Sequence, residues 1–160
     1  MLKGFDPIVP KNPKVMIVGS MPSVTSLEKM EYYGFKHNRF WKIMEAYFQM
    51  PITTYALKTD IMLEHHILLW DVIGECEREG SLDSAIKKEV VNPIPTVLAA
   101  NPSIQAIFCN GRKSYDLLCR HFPDLAVDVY YLPSTSNANR SIKEEELFKL
   151  WFQMLDQYEL

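Results

Sequence analysis

The stretch KVMIVGS, Lys14 to Ser20, is apolar and β-branched until it breaks at Gly19. An uninterrupted run of this length reads as a strand buried on both faces rather than one with a wet side. Three further segments have the same character: HILLWDVI from His66, SIQAIFCNG from Ser103 and VDVYYLPS from Val127. Helical spacing fills most of the intervals. Phe40, Ile43, Met44 and Tyr47 share one helical face after Asn38, and GRKSYDLLCRHF reads as another helix. A last helix is predicted from Ser141, where SIKE has a capping-box pattern and Leu147, Leu150, Trp151, Met154 and Leu155 form its apolar stripe. The helical signal weakens over 53–65 and 82–100.

Buried strands alternating with helices predict an α/β fold with a parallel sheet covered on both faces. Such sheets bind ligands outside the carboxyl ends of their strands. The polar clusters fall there: GSMPS after the first strand, WD at the second, NGR after the third and LPSTSNANR after the fourth. A candidate site therefore exists before any motif is named.

No repeat or flexible linker divides the 160 residues, so one domain over 1–160 is expected. The N-terminus has no continuous apolar core of a secretory signal, and no apolar run is long enough to span a bilayer. Cys76, Cys109 and Cys119 form no C-x-x-C pair, which points to reduced thiols in a cytoplasmic protein and falls short of an iron–sulfur ligand set. The formal charge of −3 gives no general attraction to nucleic acid. Its distribution is uneven: Lys36, Arg39 and Lys42 cluster early, Arg112 and Lys113 adjoin, Arg140 and Lys143 follow STSNAN, and the acids gather in ECERE and KEEE.

GSMPS lacks both the P-loop and the dinucleotide-binding glycine patterns, which excludes those sites. It is either a phosphate cradle or an ordinary turn. Asn38 is either the cap of the helix after it or an amide that faces a water or a base edge. Tyr32 and Tyr33 are either core aromatics or stacking platforms. Asp71, at the end of a very apolar strand, needs a partner in the next turn or a ligand, because an unpartnered buried carboxylate is costly. His65 and His66 point different ways and suggest no metal.

The ordered set GSMPS, YYG with NRFW, LLWDVIGECEREGSLDSAI, and LPSTS with AN resembles the uracil-DNA glycosylase superfamily. Within it, the set is similar to the hypoxanthine-DNA (deoxyinosine) glycosylase branch, related to the mismatch-specific uracil/thymine glycosylases. The resemblance runs from about Lys14 to the last helix. It implies a three-layer α/β/α sandwich around a four-stranded parallel sheet, and a DNA repair enzyme that hydrolyses the N-glycosidic bond of a deaminated base flipped out of damaged DNA. Two departures stand out. Met21 occupies the position where better-known branches carry a water-positioning aspartate or asparagine, and Asn137 stands where proline is expected. In the hypoxanthine branch the resemblance instead gives the essential role to the asparagine before Arg-Phe-Trp, here Asn38.

On that resemblance, Asn38 orients water or donates to the departing base. Tyr33 or Phe35 stacks on the base, Asp71 reads its polar edge, and Ser20 and Ser23 hold sugar or phosphate. Ser134, Thr135 and Ser136 pinch the backbone, Asn137, Asn139 and Arg140 approach the groove, and Arg39 and Lys42 add cationic charge, with Arg112 and Lys113 more distant. No lysine suits a Schiff base, so a monofunctional enzyme is expected, without metal or other cofactor, membrane contact or obligate protein partner, and acting as a monomer. Removal of uracil or a mismatched pyrimidine is the nearest alternative. A lesion-binding module without activity and an enzyme acting on free nucleosides are the others.

Overall fold

The computed structural model describes residues Met1–Leu160. At its centre is a parallel sheet of β2 (Val15–Gly19), β3 (Ile67–Asp71), β6 (Ala106–Asn110) and β7 (Asp128–Leu132), in the order β3-β2-β6-β7. The first of these strands is thus central, with its successors added on either side of it. Register is the feature that matters most for function. Gly19 pairs with Asp71, and Asn110 with Leu132, while Val18 pairs with Cys109 one residue earlier. All four strands therefore end in one row.

Alternation along the buried strands sends side chains to two cores. Val15, Ile17, Ile67, Leu69, Ala106 and Phe108 pack on one face against α2 (Phe40–Phe48), α3 (Tyr55–Glu64) and α6 (Glu144–Gln157). Met16, Val18, Leu68, Trp70, Ile107 and Cys109 face α4 (Ile94–Ala100) and α5 (Arg112–His121). The result is a three-layer α/β/α sandwich.

HILLWDVI is not one strand. It breaks at Val72, whose N–H bonds the Gly19 carbonyl at 2.9 Å, and the chain restarts as β4 (Ile73–Glu77). β4 joins β1 (Leu2–Lys3) and β5 (Lys87–Val91) in a small antiparallel sheet. The weak interval 82–100 resolves into a 3₁₀ turn at Asp83–Ala85, then β5 and α4. A short α1 (Val24–Lys29), capped by Ser23, also escaped the sequence pattern because it buries only Ser26. The capping box at Ser141 does not form. α6 starts at Glu144, and the Ser141 hydroxyl donates to Asn139 Oδ1 at 2.6 Å instead. Three glutamates in its first turn suit the positive end of the helix dipole.

Trp151 connects this scaffold to the rim. It is fully buried, and its Nε1–H donates to the Pro133 carbonyl at 3.0 Å, just ahead of the loop that follows β7. Trp151→Ala removes both the core volume and that anchor. We expect a loss of about 3–5 kcal/mol of stability in urea unfolding, accompanied by weaker protection of the 133–139 amides in hydrogen exchange.

Candidate active site

Where the four strands end, a cleft of about 890 Å³ opens. This is the size range of small-molecule pockets. Gly19, Asp71 and Asn110 form its floor, Tyr33, Phe35 and Asn38 one wall, and residues 134–139 another. The row of strand ends has become a row of ligand-facing positions.

Two glycines are required by close approach. A Cβ on Gly19 would lie 2.7 Å from Asp71 Oδ1 and 2.9 Å from the Tyr33 hydroxyl, so any side chain there would fill the floor. Gly111 has φ of +96°, and a Cβ would meet Ser134 Cβ at 3.1 Å. Only glycine combines that backbone conformation with a loop packed so closely.

One hydrogen-bond chain joins three elements of the site, and its direction can be read. Asn110 Oδ1 accepts from the Thr135 amide at 3.0 Å, which fixes the Asn110 side-chain amide with its NH₂ toward Thr135 and Tyr33. Its Nδ2 donates to Thr135 Oγ1 at 3.0 Å and to the Tyr33 hydroxyl at 3.2 Å. Thr135 Oγ1 donates onward to Asn38 Oδ1 at 2.8 Å, and the Phe40 amide donates to that same oxygen at 2.9 Å. Asn38 Oδ1 thus has two donors. What Asn38 presents to the cleft is its Nδ2 group, a donor.

The cap reading and the functional reading of Asn38 are therefore both realised. Its oxygen satisfies Phe40 at the start of α2, although Arg39 holds the N-cap position by backbone geometry. Tyr32 belongs to the core: its hydroxyl donates to the Asp6 carbonyl, and its own carbonyl accepts from Trp41 Nε1 at 2.7 Å. Tyr33 stacks on Phe40, with centroids 4.2 Å apart, and burial raises its phenol far above the ordinary range. With Asn110 donating to its oxygen, the Tyr33 O–H is left to donate. Its φ of +51° is uncommon for a non-glycine residue and costs on the order of 1 kcal/mol or more. Phe35 lines the cleft with only an edge contact to His37, at 5.4 Å.

Asp71 is 4% exposed, and its Oδ2 has no hydrogen-bond partner. Burial pushes its carboxyl up to about 7, and the Asp83 carboxylate adds to the rise. The Gly19 backbone and the Arg78 guanidinium oppose it only in part. Asp83 is held in the cleft by Ser20, whose hydroxyl donates to Asp83 Oδ1 at 2.6 Å.

The remaining candidates divide by position. Ser20, Ser23, Ser134, Thr135, Ser136, Asn137 and Asn139 line the cleft. Ser23 is the cap of α1, accepting from the Ser26 amide at 3.1 Å. Ser134 and Ser136 accept from loop amides, which leaves their O–H groups to donate outward. Arg39 turns its guanidinium inward. Its Nε donates to the Thr135 carbonyl at 3.2 Å and Nη2 to the Ser136 carbonyl at 2.6 Å, so it ties the loop down. Lys42 and Arg140 are exposed and lie outside the cleft lining, whereas Arg112 and Lys113 line it. Arg112 lies over the Tyr131 ring at 4.2 Å. Met21 is 7% exposed and packs into the second core, offering no polar atom for a water.

Sequence reasoning missed Asn110 and Asp83. Asn110 showed itself only as part of a strand-to-helix turn, and Asp83 as one acid among many in an unstructured-looking stretch.

The unpaired state of Asp71 has a cost that can be measured apart from activity. A carboxyl raised on folding holds its proton longer in the native than in the unfolded state. Its contribution is fully present below pH 4 and is lost as pH rises through about 7. Asp71→Asn carries no such loss. Its stability relative to the wild type is predicted to rise between pH 4 and pH 8 by on the order of 4 kcal/mol at most, read by denaturant unfolding across that range.

Comparison with known proteins gives the family and agrees with the fold. The family model described as the Uracil DNA glycosylase superfamily matches residues 7–156. A protein of Methanosarcina acetivorans named hypoxanthine DNA glycosylase is 34% identical over 142 residues, covering 86% of this chain and 88% of its own. A protein of the same name from Methanosarcina barkeri is 30% identical over the same shares. A solution NMR structure of a uracil DNA glycosylase candidate from Methanosarcina acetivorans superposes with a TM-score of 0.82 at 31% identity, covering 99% of this chain and 98% of the other. The chain belongs to the uracil DNA glycosylase superfamily.

Proposed function

We propose that this DNA glycosylase removes hypoxanthine from deoxyinosine in DNA, with Asn38 acting as a hydrogen-bond donor to the reacting centre. The observation that carries the reading is the double occupation of Asn38 Oδ1, which leaves Nδ2 as the group offered to the cleft. The names of the two Methanosarcina relatives support the choice of base.

Hydrolysis breaks the bond between C1′ and the base nitrogen, with the electron pair leaving on the base. A water oxygen then bonds to C1′, and one of its protons ends on the base. Positive charge develops on the sugar and negative charge on the base. Donors aimed at the base are therefore worth more in the transition state than in the ground state. Asn38 Nδ2 and the Tyr33 O–H are such donors, preorganised by the hydrogen bonds that occupy Asn38 Oδ1 and the Tyr33 oxygen. With Met21 at the water-positioning place of the first-strand loop, the side chain there offers the water no polar atom, and the water is bound by donation from Asn38. Its second lone pair stays free to attack.

Phe35 supplies the stacking surface for the extruded base, and Asp71 faces its lactam edge. The Ser134 and Ser136 hydroxyls bind backbone phosphate while Arg39 keeps their loop in place. Arg112 and Lys113 add cationic charge at the rim, which makes binding weaken with salt. Lys113, on the first turn of α5, is the one lysine in the cleft lining; we expect an abasic product rather than strand cleavage, as membership of the family implies.

Uracil carries the same pairing of ring N–H and carbonyl, and the family description favours it as a second substrate. Duplexes with a single deoxyinosine, deoxyuridine or deoxyxanthosine decide the matter when abasic sites are revealed by alkali. The expected result is release of hypoxanthine at a rate reduced at least 100-fold in Asn38→Ala, in line with the loss of one preorganised donor. Release of uracil alone would replace the substrate. Tight lesion binding with no release from any duplex would mean a binding module.

A further inference from the structure

Asp71 and Asp83 face one cleft, while the third carboxyl in its lining, Asp116, pairs with Arg112 at 3.9 Å. Asp71 Oδ2 is buried without a partner. Its nearest cation, Arg78, gives Nη2 to the Pro22 carbonyl, and its Nε and Nη1 are themselves buried without partners. Asp83, exposed on its 3₁₀ turn, is drawn in by the Ser20 hydroxyl at 2.6 Å. The other titratable groups facing Asp71 are the phenols of Tyr32 and Tyr33, both held neutral by burial. An ionised Asp71 would leave a buried oxygen unsatisfied and set a negative charge beside a base that gains negative charge on leaving.

We propose that Asp71 engages the base as a neutral acid, its carboxyl donating to the base carbonyl while accepting from the adjacent ring N–H, and that Asp83 is the positioning residue that keeps it neutral. This rests on the glycosylase reading above and adds to it the state of one proton. Gly19 is part of the device, because a Cβ there would lie 2.7 Å from Asp71 Oδ1 and close the floor of the cleft over the carboxyl. The cyclic pair of a carboxylic acid with a lactam gives the carboxyl proton an acceptor and the ring N–H a carboxyl oxygen at once. Deaminated bases share that lactam edge. A neutral donor here also stabilises charge on the leaving base, the use to which apolar sites put a protonated carboxylic acid. Arg78 lowers the Asp71 carboxyl, but less than burial and Asp83 raise it.

Asp83→Asn tests this without threatening the fold, since the side chain is exposed and an amide oxygen can still accept from Ser20. The side-chain carboxyl of Asp71 would be followed by ¹³C NMR from pH 4 to 9 in the wild type and in Asp83→Asn. Single-turnover base release would be measured over the same range, with Asp71→Asn added. The expected titration midpoint lies near 7 and moves to lower pH in Asp83→Asn. The rate is expected to fall through the same midpoint and to move with it, while Asp71→Asn, whatever its overall rate, loses that limb. An Asp71 that titrates in the ordinary carboxylate range, or is unmoved in Asp83→Asn, overturns the proposal. So does a rate that rises as Asp71 ionises. If no duplex loses a base, the glycosylase reading fails separately, and the NMR titration still decides whether Asp83 holds Asp71 neutral.

Discussion

A parallel sheet buried on both faces can carry polar side chains only where its strands stop. In this protein the four strands stop together. Gly19, Asp71, Asn110 and Leu132 lie in one row because the register runs level across the sheet. A one-residue slip in any strand would turn its terminal side chain to the opposite face. The site is thus a consequence of register, and the two apolar cores that enforce register are also what hold the chemistry in place.

On that row the chain builds a network with a direction. Backbone donors at Thr135 and Phe40 settle which atom of each asparagine accepts, and the Thr135 hydroxyl relays the order from Asn110 to Asn38. Few rotameric choices remain. Arg39 serves the same end by tying the loop carbonyls to the start of α2, so a residue whose charge suggests phosphate acts first as a brace. The rigidity agrees with the chemistry, because electrostatic stabilisation is most effective where the donors need not reorganise.

How much of this was legible in the sequence follows from how local each signal is. The four strands were visible because double burial demands continuous apolar runs, and the site's location followed from where those runs broke. Asn38, Tyr33 and Asp71 stood out because each is costly or unusual where it occurs. The break at Val72 was hidden because Val72 and Ile73 resume the apolar run of β3, and only the hydrogen bonds to Gly19 and Ser20 mark it. Asn110 was hidden because its partners are 25 and 77 residues away. The inward turn of Arg39 was equally invisible, since a cation in sequence carries no sign of where its guanidinium points. The helix start at Ser141 was misread for the opposite reason: the local motif was complete, but Asn139 Oδ1 accepts from both the Ser141 amide and its hydroxyl in a turn, and the helix begins at Glu144.

The claim on which the account turns is that Asn38 works through its N–H and not through its oxygen. Asn38→Asp is the direct test, because a carboxylate keeps the acceptor for Phe40 and Thr135 while removing the donor. Single-turnover release from a deoxyinosine duplex is predicted to fall as far in Asn38→Asp as in Asn38→Ala, with the folded state retained in both. An Asn38→Asp enzyme that equals or exceeds the wild type would show that an oxygen positions the attacking water, and would contradict the assignment.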